Sequence, residues 1–233
     1  MIADSKQREA PWMAGWRAAR ANLLPALMVQ GVMLALMLGY YHYPPTTRWL
    51  NHLAELKQHW GFGYSALSAA IAGGLVPEIM RVLWFQKGRL FRKNGVNLLF
   101  TIPFWGCVGL MVDGFYRMQA EWFGSEATFQ VVATKVFVDQ FIYNPIVAGP
   151  IGAWFYDWKL SGCSLKNIRR FFTRSYYRDV IVPILFATWA VWIPLVAILY
   201  SLPSQLQIPL FGLALAMWVM LYTWLSEQRT SQK

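Results

Sequence analysis

Residues Thr128–Trp158 read TFQVVATKVFVDQFIYNPIVAGPIGAWFYDW. The stretch is apolar enough to cross a bilayer, yet it contains Lys135, Asp139, Gln140 and Asn144. A charge at the bilayer centre costs roughly 2.5–3.5 kcal/mol on the most lenient scale, so these groups are expected to face partners or water rather than lipid. A helix puts Lys135 and Asp139, four apart, on one face. Gln140 and Asn144 are also four apart and lie about 140° round from that face, at about 100° per residue. Pro145 removes a backbone donor and frees the carbonyl of Phe141, and Gly149, Pro150 and Gly152 weaken the next turn. The expectation is a polar, interrupted membrane helix rather than a plain anchor.

The rest of the chain agrees in composition. Of its 233 residues 57% are hydrophobic, only 14% are charged and 17% are aromatic, with 13 tryptophans. Long apolar runs with many aromatics suit a protein that meets several bilayer interfaces. The expected organisation is a basic N-terminal segment, 1–21, then one transmembrane domain, 22–226, and a tail, 227–233. The net charge of +10 sits in short loops between apolar runs, which speaks against nucleic-acid binding. Cys107 and Cys163 fall on different elements, so neither a disulfide nor a metal set is expected. The first twenty residues carry Asp4 and Glu9 and no short apolar core with a cleavage site, unlike a signal or transit peptide.

The fold class expected is an all-α polytopic membrane bundle. It has about six crossings, near residues 22–43, 62–85, 96–116, 128–158, 180–200 and 206–225, and two amphipathic interfacial helices. The first interfacial helix runs from Arg48 to Trp60, with Trp49, Leu53, Leu56 and Trp60 as its apolar stripe. His52, Glu55 and His59 lie beside that stripe, where an interfacial polar face is the plainer reading than a zinc set. The second follows Ser164 as cap to a helix beginning at Leu165. There Leu165, Ile168, Phe172 and Tyr176 face the membrane, while Lys166, Arg169, Arg170 and Arg174 face anionic headgroups, each worth roughly 1 kcal/mol. In the second crossing Ser65, Ala69 and Gly73 make a small-residue ridge for close helix approach, and Glu78 and Arg81, three apart, can pair.

Charge sets the expected orientation. Six crossings put four Lys or Arg before Asn22, four between Lys87 and Lys93, six between Lys159 and Arg178 and two after Ser226 on one side, sixteen in all. The other side has Arg48, Lys57 and Arg117. The basic side, with both termini, is expected to be cytosolic, or the matrix in a mitochondrion. At about 1.5 Å per residue Lys135 then lies roughly 9 Å and Asp139 roughly 15 Å below the outer surface, with Asp113 roughly 5 Å below it. Lys135 is expected to meet Asp113 or Asp139.

Residues 106–226 carry a family resemblance. Asp139-Gln140 is followed by Asn144-Pro145. Trp189 and Trp192 stand three apart with Pro194 close behind, Pro203 follows, and Trp224-Leu225-Ser226 closes the run. Phe115-Tyr116 forms an aromatic pair after a glycine-rich third helix. In these positions the chain resembles the small peroxisomal and mitochondrial membrane-protein family of the Mpv-seventeen type, with a family-like core over about 62–226. It departs from that family at Pro77-Glu78, where Gly-Asp is usual, and at Ala197, where Gln is usual. The resemblance implies a helical integral protein of a mitochondrial inner, peroxisomal or bacterial inner membrane, and, for some members, a weakly selective channel. Asp139, Lys135, Gln140, Asn144, Asp113, Glu78 and Arg81 are the candidates for its polar lining. The alternative is a non-conducting structural or lipid-organising protein in which the same groups glue helices together. No enzyme is expected, because all three histidines lie between His42 and His59 and no Ser or Cys has an evident base. No cofactor is expected. The partners are the bilayer and, on the basic side, anionic lipids, with room for a homo-oligomer.

Overall fold

A computed structural model describes residues 10–231 except 165 and 167, with backbone alone at 11 and 225–231. Among them there is helix and no strand. The elements are α1 (Pro11–Ala21), α2 (Leu23–His42), α3 (Pro44–Trp60), α4 (Phe62–Phe85), α5 (Arg92–Phe123), α6 (Phe129–Val138), a widened helical stretch Asp139–Ala148, α7 (Gly149–Leu160), a tight turn Ile168–Phe172, α8 (Arg174–Tyr200) and α9 (Ser204–Ser231). Five of these helices, α2, α4, α5, α8 and α9, are long and apolar enough to cross a membrane. Only 11% of the most apolar window of α5 is buried within the protein, so its remaining apolar surface needs an apolar surrounding. These are the properties of an integral membrane protein.

The chain forms two compact units. The larger comprises Pro25–Val136 and the chain from Pro194 onward. Its core is aliphatic: Met33, Leu50, Leu195, Leu199, Leu202, Leu206 and Leu210 are fully buried. A three-residue link, 201–203, folds α9 back, and α9 packs on α3 and α4. The α4–α5 pair is the closest in this unit. The ridge of Ser65, Ala69 and Gly73 faces α5 there: a Cβ on Gly109 would collide with the Ser65 carbonyl oxygen, and one on Gly73 with the Trp105 ring. Small residues are needed because two backbones occupy the space of side chains.

The smaller unit comprises the chain up to Leu24 together with Phe137–Ile193. Phe171, Tyr176, Ile181 and Leu185 form its core, flanked by Trp154, Trp158 and Trp189. From Pro11 the basic N-terminal segment is helical, and proline at the first helical position is a start signal. Gly15 of α1 lies against α8, where an added Cβ would fall 2.5 Å from the Pro183 carbonyl oxygen.

Prolines account for three of the four widened turns among the described residues; the fourth, Arg81–Phe85, has no proline in it or in the rest of its helix beyond it. Wide turns with i→i+5 bonding run over Ala70–Leu75 just before Pro77, over Asp139–Ala148 around Pro145, and over Tyr177–Ile181 just before Pro183. A proline withdraws one donor and crowds the carbonyl four residues back, and an extra residue in the turn relieves both. Pro103, Pro194 and Pro209 sit inside regular helix without that widening.

Of the two interfacial helices expected, the second is corrected. In α3 the inward face is Leu50, Ala54 and Lys57, whereas Trp49, Leu56 and Trp60 point outward at about half exposure or more, which leaves that stripe open to an apolar interface. After Ser164 the described residues make a tight turn, Ile168–Phe172, and α8 then begins under a Thr173 cap whose hydroxyl accepts from the Tyr176 N–H at 3.3 Å. Arg174 therefore belongs to α8, and Tyr176 is buried rather than facing lipid. The expected helix start at Leu165 lies outside the described residues.

Replacing Gly109 by alanine should cost about 1–3 kcal/mol of stability through overpacking against Ser65. Gly114, with open space around it, should tolerate alanine or gain slightly. Thermal unfolding of the purified protein in detergent, followed by tryptophan fluorescence, checks the pair.

Candidate functional site

An open cleft of about 620 Å³ lies at one end of the larger unit. Its polar lining comes from Lys57 and Gln58 of α3, from Asp113, Arg117 and Glu121 of α5, and from Ser204, Gln205 and Gln207 of α9. Local sequence explains the convergence. α3 and α4 are joined by Gly61 alone, at φ 53° and ψ −128°, a conformation open to glycine. This abrupt link brings the end of α3 beside the start of α4. Lys57 Nζ then donates to the Gly61 carbonyl at 2.9 Å, as a basic residue closing a helix C-terminus does.

Asp113 is the centre of the cleft's floor. It is 2% exposed and bonded on both oxygens. Lys57 Nζ and Ser65 Oγ donate to Oδ2, the latter at 2.6 Å, and Arg117 Nε donates to Oδ1 at 3.0 Å. Lys57 is itself buried, and Arg117 is half exposed. The Phe62 ring supports both cations, with its centroid 4.4 Å from the Arg117 guanidinium carbon and 5.6 Å from Lys57 Nζ. One carboxylate thus holds two cations, which leaves the cluster with a net positive charge.

A second constellation stands behind the cleft wall. Tyr116, which lines the cleft, packs on Tyr200 with ring centroids 4.9 Å apart. Gln119 Nε2 donates to the Tyr200 hydroxyl at 2.6 Å, while its Oε1 has no partner among the described residues. Lys135 Nζ lies 5.7 Å from the Tyr200 ring centroid, with the residue 1% exposed. Among the described residues Lys135 makes no ion pair or hydrogen bond, only this ring contact. The expected meeting of Lys135 with Asp113 or Asp139 is therefore corrected: Lys57 takes the place beside Asp113.

The remaining polar candidates separate into local clusters. Glu78 pairs with Arg81 Nη1 at 2.6 Å and accepts from Asn94 Nδ2, also at 2.6 Å. Asn94 Oδ1 in turn accepts from the Phe91 N–H at 2.7 Å. Asp139 and Gln140 are both buried in the smaller unit, where Gln140 Nε2 donates to Asp139 Oδ1 at 3.0 Å. Asn144 is partly buried, and its carbonyl oxygen would lie 2.9 Å from a Cβ placed on Gly149. Trp189 Nε1 donates to the Gln140 carbonyl at 2.8 Å. In an i→i+5 turn that carbonyl would await the N–H of residue 145, which proline lacks, so the indole supplies the missing donor. Trp192 is partly buried and Pro194 exposed. Trp224 packs on Phe85 at 5.5 Å, and the side chains of Leu225 and Ser226 lie outside the described residues.

On the basic surface, Lys166, Arg169, Arg170 and Arg174 are all exposed. Arg170 is held by Asp157 at 3.1 Å, and the same carboxylate accepts from the Tyr176 hydroxyl at 2.9 Å. His52 and Glu55 pair at 3.2 Å on the open face of α3, with both side chains at least 70% exposed. Comparison with protein-family models, curated proteins and solved structures returned no match.

Removing one partner of a buried ion pair typically costs about 3–5 kcal/mol, because the other charge stays buried. Lys57→Met and Asp113→Leu should each destabilise the protein on that scale, and the double variant by clearly less than their sum. A double-mutant cycle on the detergent-solubilised protein reads that coupling directly.

Proposed function

We propose that the protein is a six-crossing membrane protein of the Mpv-seventeen type that offers small polar solutes a weakly selective conduit. The cleft forms its mouth. The sixth crossing is the helical run over residues 129–160, added to the five helices that are individually long and apolar enough. The observation that carries the reading is the 620 Å³ polar cleft at the end of an otherwise apolar bundle, with the paired Lys57, Asp113 and Arg117 at its floor. A water-accessible recess lined by charge is what a solute entering from outside would meet first. Lys135 stands behind its wall, and Asp139 and Gln140 are the buried polar groups further along the same run.

The spacing of polar groups along α5 supports a placement in the bilayer. Asn94 and Asp113 are separated along it by about 28 Å at 1.5 Å per residue, close to the ~30 Å of a hydrocarbon core. The Glu78–Arg81–Asn94 and Asp113–Lys57–Arg117 clusters then sit at opposite interfaces. The charge count puts the first, with both termini, on the cytosolic or matrix side. The exposed Lys166, Arg169 and Arg174 would meet anionic headgroups.

A second reading is favoured by a different observation: Asp113 and Glu78 are each saturated by donors from the bundle itself. Groups matched in this way serve as interhelical glue in a non-conducting, lipid-organising protein. Recording from the purified protein in planar bilayers separates the two. Under the conduit reading the protein conducts, and Lys135→Met and Asp139→Asn each change the conductance or the ion preference. A silent bilayer, or conductance indifferent to both, leaves the lipid-organising reading.

A further inference from the structure

We infer that the cleft holds a zwitterionic phospholipid headgroup, with its phosphate on Arg117 and Lys57 and its amine on Glu121. The inference rests on the chain's sitting in a bilayer, and a headgroup held in the cleft agrees with the lipid-organising reading rather than with an open mouth.

The positive pole comes from unused donors. Arg117 gives its Nε to Asp113, and its two terminal nitrogens have no partner among the described residues. The guanidinium is held by Asp113 on one edge and by the Phe62 ring 4.4 Å away, so its free fork is already oriented for a phosphate. Lys57 gives N–H groups to Asp113 and Gly61, and an ammonium has three. Ser204, the first residue of the 28-residue helix α9, lines the same cleft, and the unbonded N–H groups of a helix start add to the pole.

The negative pole is Glu121. Arg117 has Asp113 one turn before it and Glu121 one turn after, and it turns toward Asp113. Glu121 is left exposed on the cleft wall with no ion pair among the described residues. Residues four apart on a helix share a face, so Arg117 and Glu121 present opposite charges to one cleft. A simple anion would be repelled by Glu121, and a simple cation by Arg117 and Lys57. A group carrying both charges satisfies each pole.

Size and surroundings favour a lipid over a free phosphoamine. A volume of about 620 Å³ falls within the range of small-molecule sites and accommodates a headgroup with its glycerol. Phe62, 47% exposed beside Arg117, gives the first acyl carbons an apolar surface.

Native mass spectrometry of the full-length protein, released from micelles doped equally with phosphatidylethanolamine and phosphatidylglycerol, tests this. The expected result is retention of phosphatidylethanolamine about tenfold over phosphatidylglycerol. Glu121→Gln, on an exposed side chain, should erase that preference while phosphatidylglycerol is still bound. Arg117→Gln should weaken retention of both lipids, with its melting transition recorded alongside to confirm folding. Equal retention by the unaltered protein, or a preference that survives Glu121→Gln, overturns the proposal. Displacement of the lipid by soluble phosphoethanolamine at equal concentration overturns the lipid assignment. Because the readout is binding, it stands or falls apart from conductance.

Discussion

The Asp113 carboxylate must have its charge matched inside the protein, and much of the larger unit follows from that demand. A buried carboxylate without partners would cost several kcal/mol. Three donors from three helices converge on it: Lys57 from α3, Ser65 from α4 and Arg117 from its own helix. Lys57 reaches it only because a single glycine turns α3 into α4. The same turn sets the Ser65 ridge facing Gly109, so electrostatic matching and close packing impose one geometry on this helix pair.

Charge is gathered at the ends of that pair, with small residues between. Glu78, Arg81 and Asn94 close one end, Asp113 and its donors the other, and Ala69, Gly73 and Gly74 lie in the interval. In an apolar surrounding, water cannot reward helices for hiding apolar faces from it. Backbone proximity in the middle and saturated ionic bonds at the rims are then the available sources of cohesion. The aliphatic core between α8 and α9 adds shape matching of the ordinary kind.

The sequence was readable wherever a pattern is local. Helical class, apolar runs, the ridge at Ser65, Ala69 and Gly73, and the three-residue spacing of Glu78 and Arg81 all appear within one or two turns of chain. Lys57 was not legible in that way. Its face, Leu50–Ala54–Lys57, does recur at helical spacing, but the brighter stripe of Trp49, Leu53, Leu56 and Trp60 competes with it. Nothing local says that Asp113, far along the chain, will repay the lysine's burial. The same limit hid the Asn94–Glu78 and Gln119–Tyr200 bonds. In the opening stretch the interruption at Pro145 was visible, but its extent over Asp139–Ala148 depends on what neighbours the freed carbonyls find.

Trp189 shows what that dependence entails. Its indole stands in for an amide hydrogen that the main chain at Pro145 cannot offer. The imino acid and the aromatic ring therefore act as one repair split between two places. A relative that restored an ordinary residue at the first would strand the indole at the second. One that lost the ring would leave a naked oxygen dipole in the bend. Divergence within such a lineage should keep both or shed both.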